Sequence, residues 1–286
     1  MRAEELERLA ASDETARGYL LAQGGQSGDG ECPRCQSLRV YLLRTGRRRC
    51  GGCGYTFQER TGRFLGIGGL SWSQWLRLID LFAREAPVKE TASRLGVAYN
   101  TAYKAMDALR QALLAQAIDA RQIGLTLRLG QNGAGHWPPV FGIMEREDWV
   151  FVDLLSDVEA QDLALFKMNF RLKTGRIGSV VYTGPMRGYL GVVCCGGPGW
   201  LSDALSKRDR DIPLDRTRGF WPFFKERLTR LQGVTAHKFP YYLKEFEFRY
   251  NHRNLDMLPL LARWASAFRG PMRKEKPGSP CEEPGL

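Results

Sequence analysis

Two Cys-x-x-Cys pairs, Cys32-Pro-Arg-Cys35 and Cys50-Gly-Gly-Cys53, stand fourteen residues apart near the amino end of the chain. No other feature restricts the fold as tightly. Zinc takes four soft or borderline ligands in a tetrahedron, and each Cys-x-x-Cys turn supplies two thiolates. The segment between them has to double back as a hairpin, and Gly54 after the second pair suits a positive φ. The spacing sits at the short edge of the zinc-ribbon range. A redox Cys-x-x-Cys or coincidence is the competing reading, and two spaced pairs weigh against it. Four protein ligands leave no open coordination position, so the zinc expected at Cys32, Cys35, Cys50 and Cys53 is structural.

The ribbon is basic. Residues 30–63 hold eight arginines (34, 39, 44, 47, 48, 49, 60 and 63) and two glutamates, a local charge of +6. The run Arg47-Arg48-Arg49 reads equally as a phosphate-contacting strip or as a solvated hairpin face. The whole chain of 286 residues carries 42 Lys+Arg against 31 Asp+Glu, a formal charge of +11. Such a balance points to nucleic acid before a membrane surface. The apolar stretches are too short to cross a bilayer, and the acidic, amphipathic amino terminus is no signal peptide. The expectation is a cytoplasmic protein whose cysteines stay reduced, with no membrane partner and no small-molecule substrate. His136, His237 and His252 are too dispersed for a metal site, Cys194-Cys195 reads as buried thiols, and Cys281 as an incidental exposed one.

Apolar spacing predicts helices at Ala3–Leu21, Ser71–Arg84, Pro87–Arg94 and Tyr99–Ala117, with strands at Arg39–Arg44 and Tyr55–Gln58 around the cysteines. Residues 24–30 form a Gly-rich linker. Ser71 or Ser73 can cap a helix whose face carries Trp72, Trp75, Leu76, Ile79 and Phe82. Pro87 suits a first helical turn, and Leu95-Gly96-Val97 suits a tight turn between helices. The pattern is a helix-turn-helix whose last helix exposes Tyr99, Asn100, Thr101, Tyr103 and Lys104. In that motif the amino-terminal part of the last helix enters the major groove, where Asn pairs with adenine and Thr touches a thymine methyl. A plain three-helix bundle is the alternative.

Beyond Ile123 the period changes. β-like runs fall at Leu125–Leu129, Val140–Glu145, Trp149–Leu155 and Ser179–Thr183, with a helix at Glu159–Leu172 before the last. After Asp215 the chain is helical to about Phe268. This order predicts a mixed sheet with helices on both faces, an RNase-H-like arrangement. The fold class is therefore multidomain α+β. The expected domains are 1–29 (helix and linker), 30–64 (zinc ribbon), 70–118 (helix-turn-helix), 122–268 (RNase-H-like) and 269–286 (disordered tail).

Several phrases carry a family resemblance: Arg49-Cys50-Gly-Gly-Cys53-Gly54-Tyr55, Leu95-Gly-Val-Ala-Tyr-Asn-Thr-Ala-Tyr-Lys104, Val140-Phe-Gly-Ile-Met-Glu-Arg146, Val181-Tyr-Thr183, Gly219-Phe-Trp221 and Tyr242-Leu-Lys-Glu-Phe-Glu-Phe-Arg-Tyr-Asn251. Together they resemble the ISXO-two-like bacterial insertion-sequence transposases, a group of DDE transposases, from about Leu9 to Trp264. The resemblance implies an RNase-H-like catalytic domain in which clustered carboxylates hold two Mg²⁺ ions for in-line attack on phosphate. It also implies a bacterial, nucleoid-associated protein that meets double-stranded DNA, with a homo-oligomer open to it.

Here the chain departs from the family. The first aspartate of such enzymes lies in a phrase resembling Leu-Asp-Glu, whereas this chain reads Leu125-Thr-Leu-Arg-Leu-Gly-Gln131, and no Asp or Glu occurs from Ala120 to Met144. Gly184 stands where the second acid would follow Val181-Tyr-Thr183. Arg218 stands where a glutamate precedes Gly-Phe-Trp, and a guanidinium repels the ions it would have to bind. Asp215 and Asp153 are the residual acidic candidates. Lys244, Arg249 and Arg253 either lie along DNA or form the charged face of an ordinary helix whose Phe246, Phe248 and Tyr250 are core. Three functions follow: a DNA-binding transposase relative without catalysis, an active transposase with unconventional acids and Mg²⁺, or a protein-interaction scaffold.

Overall fold

The computed structural model describes residues 3–24, 32–66, 69–131, 140–146, 149–155, 170–173, 179–182, 191–194, 219–231, 234–235 and 238–267. The chain divides into two compact units, Met1–Ala112 with Asp256–Leu286, and Leu113–Leu255.

The first unit is built around α3 (Trp72–Ala83). Ser71 closes a capping box: its Oγ accepts from Gln74 N at 3.2 Å, and Gln74 Oε1 accepts from Ser71 N at 2.9 Å. Trp75, Leu76, Leu78, Ile79 and Phe82 are all fully buried, so apolar groups cover more than one face. A helix apolar on several sides belongs at the centre of its unit. Around it lie α1 (Ala3–Leu9) and α2 (Asp13–Gln23), then α4 (Val88–Leu95) and α5 (Tyr99–Ala115). Asp13 fixes the entry of α2 against α3 by accepting from Ser73 N at 2.9 Å.

The helix at Met257–Ser266 is also in this unit, packed on α2, α3 and the 3-10 turn Phe64–Gly66. The expected boundaries placed it in the 122–268 domain. Its period signalled an amphipathic helix, but periodicity does not say which neighbour an apolar face will cover. The expected tail at 269–286 lies outside the described residues.

The cysteine segment forms a three-stranded antiparallel sheet, β1 (Val40–Leu42), β2 (Arg48–Cys50) and β3 (Thr56–Phe57), in that order. The hairpin turn uses Gly46 at φ 72°, a conformation that glycine adopts without a Cβ penalty.

The second unit joins α6 (Ala120–Gln131) to a sheet of β4 (Val140–Arg146), β5 (Trp149–Leu154), β6 (Phe170–Lys173), β7 (Ser179–Tyr182) and β8 (Gly191–Cys194). The order is β5-β4-β8-β7-β6, and every described join is antiparallel. Two expectations fail here. The run Leu125–Leu129, read as a first strand, lies inside α6. Its leucines alternate, yet Arg121, Gln122, Leu125, Leu127, Arg128 and Leu129 are good helix formers, and Ile123 N donates to Asp119 O at the first turn. The helix expected at Glu159–Leu172 has its described end, Phe170–Leu172, in β6. The expected mixed sheet is antiparallel wherever it is described.

Two further helices, α7 (Phe220–Arg230) and α8 (Phe239–Asn251), bury Phe220, Phe224, Leu243 and Phe246 with Phe141, Ile143 and Val152 of the sheet. The last helix of the chain, Met257–Ser266, is accordingly α9. On α8, Lys244, Glu247 and Asn251 share a face and close the outer edge of β5. Asn251 Oδ1 accepts from Val150 N and its Nδ2 donates to Val150 O, both at 2.8 Å. Glu247 accepts from Val152 N at 2.7 Å, and Lys244 Nζ donates to Val152 O at 2.6 Å. An edge strand whose backbone is satisfied by side chains is no template for another strand.

Candidate metal centre and nucleic-acid interface

The four cysteines of the ribbon converge. Their Sγ atoms all lie within 4.8 Å of one another, with Cys32–Cys53 at 3.7 Å and Cys35–Cys50 at 3.5 Å. Zn–S bonds of about 2.3 Å in a tetrahedron put sulfurs about 3.8 Å apart, so the set fits a zinc ion. Cys50 Sγ accepts from the backbone N–H of Gly52 at 3.2 Å and of Cys53 at 3.4 Å. Those donors hold the metal-free Cys50 thiol down at about 6, the Cys53 N–H contributing most. Ser37 N–H pulls Cys35 the same way, but neighbouring thiols and burial outweigh it and push the group up to about 12. Cys32 is raised by burial. Cys50 is thus stabilised as a thiolate without metal, whereas Cys35 and Cys32 need a cation to ionise.

The eight ribbon arginines separate by what they touch. Arg48 points inward at 9% exposure and donates to Glu59 Oε1 at 2.7 Å. It therefore leaves the expected Arg47-Arg48-Arg49 strip: in a strand, alternate side chains face opposite ways. Glu59 also receives Arg17 of α2, Nε to Oε2 at 2.6 Å and Nη2 to Oε1 at 2.7 Å. Arg17 first and Arg48 second hold the Glu59 carboxyl down at about 2. Arg63 is buried, donating to Glu59 O at 2.9 Å and to Ser266 O, and desolvation lowers it to about 10. Arg60 lies over the Trp72 ring at 5.4 Å, and Arg34 over Tyr55 at 5.9 Å. Arg39, Arg44, Arg47 and Arg49 are exposed.

A short turn at Leu95-Gly96-Val97 joins α4 to α5. Gly96 ends α4 at φ 63°, ψ 35°, its N–H donating to Ser93 O, and Val97 N donates to Ala92 O at 3.0 Å. This is a glycine cap, and three residues separate the helices. Gln74 of α3 steadies the turn through Leu95 O at 3.2 Å. The first bonds of α5 run to Ala98 O from Thr101 N and Ala102 N, and alanine carries no capping group. At that end Asn100 and Lys104 are exposed, Tyr99 is 54% exposed, and Thr101 is half-buried. Tyr99 and Tyr103 stack at 6.4 Å. A bare helix amino end with exposed donors suits an anionic backbone.

Gly184, Asp215 and Arg218 lie outside the described residues. Asp153 is half-buried on β5, opposite Gly142 of β4. Lys244 and Arg249, read as possible DNA contacts, are 2% exposed and ion-paired: Lys244 to Asp119 at 3.0 Å and Glu247 at 2.9 Å, Arg249 to Glu245 at 2.7 Å. Arg253 is exposed and lies over Tyr250 at 4.1 Å. Burial pushes the Glu247 carboxyl up against the pull of Lys244.

One acid was missed by the sequence reading. Glu145 at the end of β4 accepts from Phe220 N at 3.0 Å and from Tyr250 Oη at 3.2 Å, so it holds the Gly219-Phe220-Trp221 phrase at the start of α7. Its place within Val140–Arg146 gave no hint of a partner 75 residues away. A cavity of about 280 Å³ is lined by Gln116, Ile118, Met144, Trp149, Phe151 and Glu247, mostly apolar, with Glu247 already committed to Lys244. No helix among the described residues is long and apolar enough to cross a membrane.

Residues 118–251 match the family described as the ISXO2-like transposase domain. No curated protein and no solved structure matches the chain.

Proposed function

Because residues 118–251 are an ISXO2-like transposase domain, we propose that the chain is a transposase-family protein that binds double-stranded DNA and neither cleaves nor joins it. The ribbon and the helix-turn-helix are the DNA-binding part, and one structural zinc at Cys32, Cys35, Cys50 and Cys53 holds the ribbon. The RNase-H-like architecture belongs to this reading through the family, since antiparallel joins alone do not carry it.

The observation that carries the proposal is chemical. On the family resemblance carried by Val181-Tyr-Thr183 and Gly219-Phe-Trp221, Gly184 and Arg218 stand where metal-holding acids would be expected. Two divalent ions bring four positive charges into a small volume, which clustered carboxylates make tolerable. Glycine supplies no ligand, and arginine adds a cation that does not deprotonate. Asp153 and Asp215 do not replace three acids. A site with Arg218 in it is suited to hold a phosphate rather than to cut beside one.

The full chain is titrated with duplex DNA over a salt series, then incubated with the duplex and Mg²⁺ or Mn²⁺. Binding should weaken steeply with salt as phosphate contacts release counterions. Asn100→Ala should weaken a preferred site more than random sequence, by roughly 1–3 kcal/mol for a base-edge contact. No nicked or joined product should form. Metal-dependent product that disappears in Asp153→Ala or Asp215→Ala would establish the active-transposase alternative instead, and absence of any DNA binding at low salt would favour a protein-interaction scaffold.

A further inference from the structure

Tyr41 is an anomaly on the ribbon. It stands at the middle of β1 and is 60% exposed, although Tyr55 and Phe57 of the same ribbon pack inward. The ladder explains its position. Tyr41 pairs with Arg49, and the pairing extends on both sides through Gly51 N to Arg39 O at 2.7 Å and Leu43 N to Arg47 O at 2.8 Å. Side chains alternate across a strand, so Arg39 and Tyr41 share the outward face with Arg47 and Arg49, while Arg48 and Cys50 face inward.

The ring is set by Gly51. A Cβ there would stand 2.7 Å from Tyr41 Cε2 and 3.2 Å from its Oη. The Cε2–Cζ–Oη end of the ring therefore lies close against Gly51, and the residue as a whole remains 60% exposed. Around it stand Arg39, Arg47 and Arg49, with Arg44 at the hairpin tip, all exposed. Among the described residues the carboxylate of this segment, Glu59, is engaged by Arg17 and by the inward-facing Arg48. The face is thus one flat ring among four cations, with no acid among the described residues drawn onto it.

We propose that the outward face of the β1–β2 hairpin is a platform for single-stranded DNA, on which an unpaired base stacks on Tyr41 while Arg39, Arg47 and Arg49 take the flanking phosphates. The inference rests on the DNA-binding reading and adds the form of the nucleic acid. Duplex phosphates would be served by the arginines alone. In a duplex each base is already stacked on both faces, so an open tyrosine ring has nothing to cover. Unpaired bases offer free π-faces, and aromatic rings within basic surfaces are how single strands are held without sequence preference.

The test uses the full zinc-loaded chain and two probes, a twelve-residue oligo-dT carrying one central 2-aminopurine, and a blunt twenty-base-pair duplex. The fluorophore is quenched when it stacks on an aromatic ring. The wild type and Tyr41→Phe should quench it on binding. Tyr41→Leu and Tyr41→Ala should abolish the quenching and weaken single-strand binding about tenfold or more, in the range expected for one stacked base. Duplex affinity should change less than about twofold in the same variants, since the phosphate contacts remain. Unchanged zinc content and melting temperature exclude an unfolded ribbon. Equal loss on both probes would mean a groove contact and overturn the platform. Duplex binding without quenching of the single strand would overturn it too, while leaving the DNA-binding reading intact. Failure to bind either probe would overturn both.

Discussion

Replacing Glu59 with glutamine removes the anion that Arg17 and Arg48 share. Three hydrogen bonds of 2.6–2.7 Å reach its two oxygens, one from Arg48 and two from Arg17. The amide keeps one acceptor oxygen but turns the other end into a donor facing a guanidinium. The Glu59 carboxyl is held down at about 2 from 4.5. At about 1.36 kcal/mol per unit that shift corresponds to roughly 3 kcal/mol. The Glu59 side chain is 19% exposed and that of Arg17 31%, so solvent screening brings the figure nearer to about 2 kcal/mol. Leaving Arg48 and the buried Arg63 without their neighbouring anion acts in the same direction. The expected melting shift is about 7 °C for a unit of this size. The sign with pH is definite. The folded carboxyl ionises more easily than the unfolded one, so its contribution is present above pH 4.5 and is lost as the pH falls from there towards 2. Zinc is released in acid as thiolates protonate, but this affects both proteins alike. The measurement is therefore the difference in unfolding free energy between wild type and Glu59→Gln across pH 3–7. A gap of about 2 kcal/mol at neutral pH that closes in acid fits the reasoning. A variant within about 0.5 kcal/mol of wild type at pH 7, or a gap independent of pH, refutes it.

Two other perturbations probe separate parts of the molecule. Cys50→Ser should lower the zinc content from about one ion per chain and shift the melting curve, because a four-thiolate structural site contributes folding energy outright; elemental analysis and calorimetry check both, and full zinc with an unchanged melt would remove the site. Asn251→Ala should destabilise the second unit by about 2–4 kcal/mol, since Val150 loses partners for both its N–H and its C=O, each worth about 1–3 kcal/mol when left unsatisfied; a urea midpoint indistinguishable from wild type would show that water replaces the amide.

The local chemistry of the first unit was legible because short-range rules decide it. Cysteine spacing determines the knuckles, Ser71 and Gln74 determine a helix start, and Gly96 determines the turn between α4 and α5. Each depends on residues within a few positions. Long-range partners left no such trace. Arg48 looked like one of three equivalent arginines until strand register turned it towards Glu59, eleven residues away. Lys244 and Arg249 looked like a basic stripe, yet Lys244 donates to Val152 O and Glu247 and is ion-paired with Asp119 at 3.0 Å. The misread of Leu125–Leu129 has another cause. Alternating leucines satisfy a strand template, but leucine and arginine favour helices, and the bond from Ile123 N to Asp119 O places the run within one.

The Gly219-Phe220-Trp221 phrase has a structural account at the start of α7. Gly219 has φ 112°, and a Cβ on it would approach Glu145 Oε1 to 2.8 Å. Phe220 is fully buried, meets Tyr250 edge-on at 5.2 Å and stacks on Phe224 at 5.3 Å. Its N–H is held by Glu145. These contacts account for the glycine and the phenylalanine by packing, backbone geometry and one charge-assisted hydrogen bond, with no metal ion required. The phrase therefore bears on the fold of this domain, and under the proposed function it is residue 218, not the phrase, that bears on cleavage.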